Sequence, residues 1–492
     1  MICTLLTGVV VFGTEIPLGI PSQWTWQRSD LAEFPWFELG GAVLVFTFAA
    51  AIAVIMDNAT SRNAGTKHLW LGLPLIFVLL GIMDVQVLKA GRSGAVENVY
   101  ALLDPYATGY LAEAASIEEP GHYFSAYEDK LENIDQDVHH VDVHPPGNVA
   151  MAYGVWQLCR TYPALGNALV KWLPTEVRTG LEKAQQHRFF GGRTLTEGYY
   201  SAACMLLVLF LFLLLSGQLL LLLAGLQLTN AYQNTGVTAC CLAAVPGVIF
   251  FLGMFGVVYF FLTSAALACL AGGVCSGRRS CSAIWVGACG FVCGVGVLFS
   301  LAFGTIIALF AVVLLIRAVH NRWERSHLIW FPVGGFAVVA GCYAVGVDII
   351  EICRTCLSNN SLFYMQTERS WHWMLINPVE FAVFLGVLWA GIIVWRLREL
   401  RTLRQVFHCD FTQVLRFAMV LFFCVLLVHP YTRGEFARLG LFFMPVPLAL
   451  GCVDLLKERF TLRSRIVLLC AAGTILVQTV MLRAGLKLWA NM

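Results

Sequence analysis

The chain has 492 residues, of which 59% are hydrophobic and only 13% charged, and its mean hydropathy is +0.74. Soluble chains carry about 25% charged residues, so this composition excludes a soluble enzyme or binding module and points to a polytopic membrane protein. A formal net charge of +2 gives no general attraction for polyanions, and nucleic acid is not expected as a partner.

A membrane-spanning helix needs about 20 mostly apolar residues. Apolar runs fall at 40–56, 69–88, 148–160, 199–225, 237–272, 283–303, 304–317, 329–350, 374–395, 412–429, 439–455 and 466–486. They predict an all-α polytopic fold of about twelve transmembrane helices with a large acidic non-cytoplasmic loop. The 148–160 and 304–317 runs are short. The 237–272 run is long and contains Pro246, which predicts a broken helix or a short helix followed by a full one. The chain then divides into an outer N-terminal segment (1–39), two spans (40–88), an extracytoplasmic loop (89–147) and the remaining bundle (148–492). Met1 to Phe12 are apolar but lack a basic region and a small-residue cleavage site, so they do not read as a signal peptide.

Lys and Arg in short loops set orientation. They recur in the loops holding Arg62 and Lys67, Arg160 to Arg193, Arg278 and Arg279, Arg317 to Arg325, Arg396 to Arg404, and Lys457 to Arg465. These loops are predicted to be cytoplasmic. Loop 89–147 has eleven Asp/Glu against three Lys/Arg and falls on the other face, with 351–373 and 430–438. Of the seventeen cysteines, most lie in apolar runs and read as small apolar residues; Cys353 and Cys356 are the pair placed to bridge.

In the acidic loop, 108–117 has helical composition with Tyr110, Leu111, Ala114 and Ile117 on one stripe and Glu113 projecting from the same helix, predicted to lie along the membrane surface. The loop closes on His140-Val-Asp142-Val-His144-Pro-Pro-Gly, so the rigid Pro-Pro pair holds His144 where the chain re-enters the bilayer. His140, Asp142 and His144 are spaced to face one way in an extended chain. Three readings stand for that row: a divalent metal site, hydrogen-bonded loop residues, or substrate and phosphate binding. The 351–373 loop carries Arg354 and Trp371-His-Trp373, the latter of interfacial-belt type. Asn377 and Glu380 open the next span and are expected to turn inward. Glu435 and Arg438, three apart between two later spans, are spaced to pair.

Several stretches together resemble the GT-C superfamily of integral-membrane glycosyltransferases, which includes protein O-mannosyltransferases and aminoarabinose transferases. They are Tyr110-x-x-Glu113-Ala, Phe124-x-x-Tyr127, His144-Pro-Pro-Gly147, Asn377-x-x-Glu-Phe-x-x-Phe-Leu-Gly386 and Gly434-Glu435-x-x-Arg438. They are scattered over 104–440, and the likeness is to a bacterial branch. Where the superfamily carries an Asp, often Asp-Glu, early in this loop, the chain has Thr108-Gly109, leaving Asp104 and Glu113 as the nearest acids.

The resemblance implies inverting transfer from a polyprenyl-phosphate sugar to a glycan, lipid or protein acceptor on the periplasmic face of a bacterial inner membrane. Asp104 or Glu113 would be the general base. Arg438, His144 and Arg354 would bind the donor phosphate, Asp142 and His140 would join that substrate site, and Glu435 and Asn377 would orient these groups. The sequence requires no cofactor, a divalent metal at His140, Asp142 and His144 being the alternative. A lipid-linked donor also suits the absence of Rossmann and P-loop motifs. The rival expectation is a transporter or lipid flippase, which likewise needs about twelve spans, although the sequence has no internal repeat.

Overall fold

The computed structural model describes residues 2–14, 18–20, 24–28, 34–61, 67–91, 96–103, 108–132, 140–172, 197–365, 371–398, 410–429 and 436–486. Helix α1 (Ile2–Phe12) is followed by a small antiparallel hairpin, β1 (Gly19–Ile20) with β2 (Trp24–Thr25). Two long helices follow, α2 (Trp36–Ser61) and α3 (Lys67–Lys89). Four short helices then occupy the acidic segment: α4 (Val96–Leu103), α5 (Tyr110–Ser116), α6 (Pro120–Ser125) and α7 (Tyr127–Glu132). After a 3-10 turn at His140–Val143 come α8 (Gly147–Thr161), α9 (Pro163–Trp172) and the long α10 (Glu197–Thr229).

The bundle continues with α11 (Thr235–Ala243), α12 (Pro246–Phe250), α13 (Gly256–Cys275), α14 (Arg279–Phe299), α15 (Phe303–His320) and α16 (His327–Ala344). Helix α17 (Ile349–Met365) precedes α18 (Trp373–Leu385) and α19 (Val387–Leu397), which are bent by 116° about Gly386. The chain ends with α20 (Phe411–Val428), the short α21 (Phe436–Leu439), α22 (Pro445–Lys457) and α23 (Leu462–Gly485).

The protein is an all-α polytopic membrane protein. Among the described residues ten helices are long and apolar enough to cross a membrane, eleven if the bent pair is one span. Polar contacts fix the two ends of the bundle. At one end, which we term the first, the Arg483 guanidinium meets Glu97 and Asn98, and the Tyr199 hydroxyl donates to the Leu103 carbonyl at 3.1 Å. At the opposite end Asn234 Nδ2 donates to the Leu455 and Glu458 carbonyls, and Arg465 donates to Asn58 and Ser61.

These contacts correct one expected span and supply another. Residues 148–160 do not cross. Helix α8 starts against Phe299, where Asn148 Nδ2 donates to its carbonyl at 3.1 Å, and its Trp156 still packs on Tyr199 at the first end. Its buried residues, Val149, Ala152, Val155, Trp156 and Cys159, form a single stripe, as in a helix lying across a bundle end rather than through it. The crossing is made instead by α11 and α12. Asp57 caps α11 at the opposite end by accepting the Gly236 and Val237 backbone N–H groups at 2.9 and 3.0 Å. Phe250, at the end of α12, lies 5.9 Å from the Arg483 guanidinium at the first end. Every residue of both helices is buried, so non-helical backbone between them at Pro246 is enclosed in protein, the one setting in which a bilayer tolerates it.

With that broken segment, and with the bent pair taken as one span, the described helices pass between the ends about twelve times. The consequence for charge is direct: Arg160 and Lys171, on or beside α8 and α9, belong to the first end with the acidic segment, not to the basic end. The short basic loops carrying Arg279, Arg317, Arg396 and Lys457 remain together at the opposite end, and short loops are those that the charge rule counts. Cys353 and Cys356 lie three apart on α17 with free thiols.

Candidate functional site

Three local devices build a polar cluster at the first end. Gly109 begins α5 with φ +70°, a left-handed conformation that a side chain would strain. A Thr-Gly pair is therefore what turns the chain into α5. Pro145 and Pro146 then aim the chain into α8. Gly147 completes the approach, because a Cβ there would come 2.5 Å from the Leu298 carbonyl oxygen. Tyr110, Leu111 and Ala114 of α5 are buried, so this helix packs into the bundle by its apolar stripe instead of floating on lipid.

His144 sits between these devices. Its ring lies edge-on to Tyr110, centroids 6.1 Å apart, and its carbonyl accepts the Tyr127 hydroxyl at 3.2 Å. Asn148 is fully buried, and its Nδ2 donates to the Tyr259 hydroxyl at 2.8 Å. Tyr110 interacts with both Tyr259 and Asn148. Arg438 is close enough for its charge to act on His144 and on Tyr259, which brings the segment after 435 to the His-Pro-Pro-Gly turn. Burial, reinforced by Arg438, pushes the His144 imidazole down to about 4. At neutral pH His144 is then an uncharged hydrogen-bonding ring, and Arg438 supplies the positive charge.

A second group adjoins the first. The Glu113 carboxylate accepts the Tyr123 hydroxyl at 2.7 Å and the Lys130 ammonium at 2.5 Å, both on Oε1. Among the described residues Oε2 accepts no hydrogen bond, and the side chain is 24% exposed. Both Glu113 and Asp142 act electrostatically on Tyr123 and Tyr127, so the two carboxylates flank one tyrosine pair whose rings are 5.7 Å apart. Desolvation raises the phenols of Tyr110, Tyr123 and Tyr127, leaving them protonated donors. Tyr127 links the groups, since it feels Glu113 and bonds to the His144 carbonyl.

The structure thus gathers Glu113, Asp142, His144 and Arg438. Asn377 is buried on α18, one turn before Phe381, whose ring packs on Phe436 beside Arg438. Arg354 does not join them: its side chain is 79% exposed and pairs with Glu351 at 3.2 Å on α17. The contact from α17 comes instead from Asn359, which donates to the Leu131 and Asp142 carbonyls. Asp104, Glu435 and the His140 side chain lie outside the described residues. Among the described residues no group of three or more His, Cys, Asp or Glu is arranged to hold a metal ion. Sequence gave no role to Tyr123, Lys130, Asn148, Tyr259 or Asn359. The available signals were a polar residue directly after Pro-Pro-Gly and a tyrosine early in a span.

The neutral His144 makes stability depend on acid. Below about pH 6.5 the unfolded chain takes up a proton on this ring, whereas the folded chain does not until about pH 4. Stability should therefore fall as pH drops from about 6.5 to 4 and then level off. His144 as a residue is only half-buried, so we expect a loss of about 2 kcal/mol. Detergent-solubilised wild type and His144→Gln should diverge over that window in chemical unfolding. Parallel profiles would show that the imidazole is not held neutral.

No family model, curated protein or solved structure matches the chain.

Proposed function

We propose that the protein is a membrane glycosyltransferase that moves a sugar from a polyprenyl-phosphate donor to an acceptor hydroxyl at the first end of the bundle, with inversion. The reading rests on one observation above others: Arg438 acts on His144 at the same end where Glu113 presents a carboxylate oxygen that accepts no hydrogen bond among the described residues. Glu113, or Asp104 nine residues before it, takes the acceptor proton. The acceptor oxygen bonds the anomeric carbon as the carbon–phosphate oxygen bond breaks, and the electron pair leaves with the lipid phosphate. Arg438 stabilises that leaving charge, and neutral His144 and the protonated tyrosines supply hydrogen bonds without adding cations. Asn377 steadies the Arg438 segment through Phe381. The polyprenyl tail lies among the apolar helices.

Purified protein incubated with a panel of polyprenyl-phosphate sugars should hydrolyse or transfer at least one, and Arg438→Ala should abolish it. A folded protein that consumes none of the panel rules this reading out.

A second reading, a transporter or flippase, is favoured by one feature in the spans. Asp84 on α3 is fully buried, and among the described residues neither carboxylate oxygen has a hydrogen-bond partner; the side-chain amides of Gln218 and Gln478 are likewise unpartnered. Such groups inside a bundle are costly and mark ion or proton paths. If Asp84 has no such role, Asp84→Leu should stabilise the protein by about 1–3 kcal/mol and leave transfer intact. A substrate-coupled proton flux in proteoliposomes that Asp84→Asn abolishes would select transport.

A further inference from the structure

A cavity of about 640 Å³ opens between α8, α9 and α10 at the first end, lined by Trp156, Cys159, Arg160, Pro163, Asn167 and Ser201, with Gly198. It is distinct from the Glu113–His144–Arg438 cluster. Asn148 and Trp156 are eight residues apart on α8, so the cavity lies about 12 Å further along the helix axis.

Its lining has a definite chemical bias. Arg160 lies over the Trp156 ring, 6.0 Å from its centroid, and among the described residues the guanidinium has no carboxylate partner. This cation–π contact leaves the N–H groups of the exposed guanidinium open to a ligand. Asn167 and Ser201 add an amide and a hydroxyl, and among the described residues the lining contains no acidic side chain. Ser201 is held by close packing of α9 on α10, where a Cβ on Gly166 would approach the Ser201 Cβ to 2.5 Å. One cation, two neutral polar groups and an aromatic wall suit a phosphate group, which the guanidinium can bind in bidentate fashion.

Charge around the cavity acts in the same sense. Helices α8 and α9, which form two of its walls, carry Arg160 and Lys171 and no Asp or Glu. A basic pocket beside a Trp at a bundle end is also the setting in which anionic headgroups are held. We propose that this cavity is a phosphate-binding site, occupied by the phosphate of an anionic lipid or of a soluble phosphate ester, and that Arg160 is its anchoring residue. The proposal does not depend on glycosyl transfer.

Three soluble probes separate the sources: dihexanoyl phosphatidic acid, glycerol 3-phosphate and dihexanoyl phosphatidylcholine, titrated calorimetrically against the purified full chain. Saturable binding of the phosphatidic acid alone assigns a lipid. Comparable binding of glycerol 3-phosphate assigns a free phosphate ester. In either case Arg160→Gln should weaken binding at least tenfold. Asn167→Asp, at an exposed position, should do the same by placing a carboxylate in the lining, and it tests the site even if the Arg160 variant folds poorly. No saturable binding of either anion, or binding unchanged in a folded variant, overturns the proposal, as would equal affinity for phosphatidylcholine.

Discussion

Glu113→Gln should lower sugar transfer by about 10²–10⁴-fold, the range that a positioned general base supplies. Gln keeps the shape of the side chain and an acceptor for Tyr123, so α5 and the 2.7 Å contact should survive. What it removes is the basic oxygen. Lys130 loses its ion pair, but its side chain is 33% exposed and water can take over, so the stability change should stay within about 1 kcal/mol. The loss should therefore appear in kcat more than in KM. Lys130→Met provides the control, since it removes the partner and leaves the carboxylate. Undiminished transfer in Glu113→Gln moves the role to Asp104. Undiminished transfer in both Glu113→Gln and Asp104→Asn withdraws the enzyme reading.

That prediction depends on how the acidic segment folds, and only part of this was legible in sequence. The long spans were, because an apolar run of sufficient length has few alternatives in a bilayer. Helix α5 was legible from its stripe of Tyr110, Leu111 and Ala114. The 237–272 run was legible as a short or broken helix followed by a full one, but that 148–160 lies across the bundle end was not, because window averages do not separate one buried face from burial all round. The pattern was nevertheless present: α8 alternates Val149, Ala152 and Val155 with more exposed residues, whereas α11 and α12 contain no exposed position at all. A one-sided stripe marks a helix at the bundle end, and an unbroken apolar run marks one inside it.

For the site, residue types pointed to chemistry but not to partners. Glu113, His144 and Arg438 could be selected because charged and imidazole groups at span boundaries are few. Lys130 and Tyr123 reach Glu113 from seventeen and ten residues away through the packing of three short helices, and no periodicity encodes that. Arg354 failed for a related reason. It lies on the correct end of the bundle, but its helix turns Asn359 toward Asp142 and leaves Arg354 beside Glu351. Nor does sequence reveal protonation: His144 looks like a cation until its burial beside Arg438 is known.

The acidic segment is tied to the bundle by a buried ion pair, and cutting it should have the largest effect on stability. Arg483, fully buried near the end of α23, donates to Glu97 at 2.6 Å and to Asn98, and its guanidinium lies over Phe250. Glu97 is itself only 5% exposed, so Arg483→Met would take the guanidinium away from a carboxylate that has little access to water. Breaking one side of such a pair costs about 3–5 kcal/mol, whereas replacing both partners by uncharged groups is often close to neutral. Arg483→Met should therefore lower the midpoint of denaturant unfolding in detergent sharply, and Glu97→Gln/Arg483→Met should recover most of the loss. Equal destabilisation in the single and double variants would show that the pair is not coupled. Because α4 leads directly into the stretch holding Asp104 and then α5, the single variant should also lose transfer activity, and the double variant should regain it together with stability. Activity that stays low in a restabilised double variant would mean that the charge itself, and not the anchoring of α4, is what the site requires.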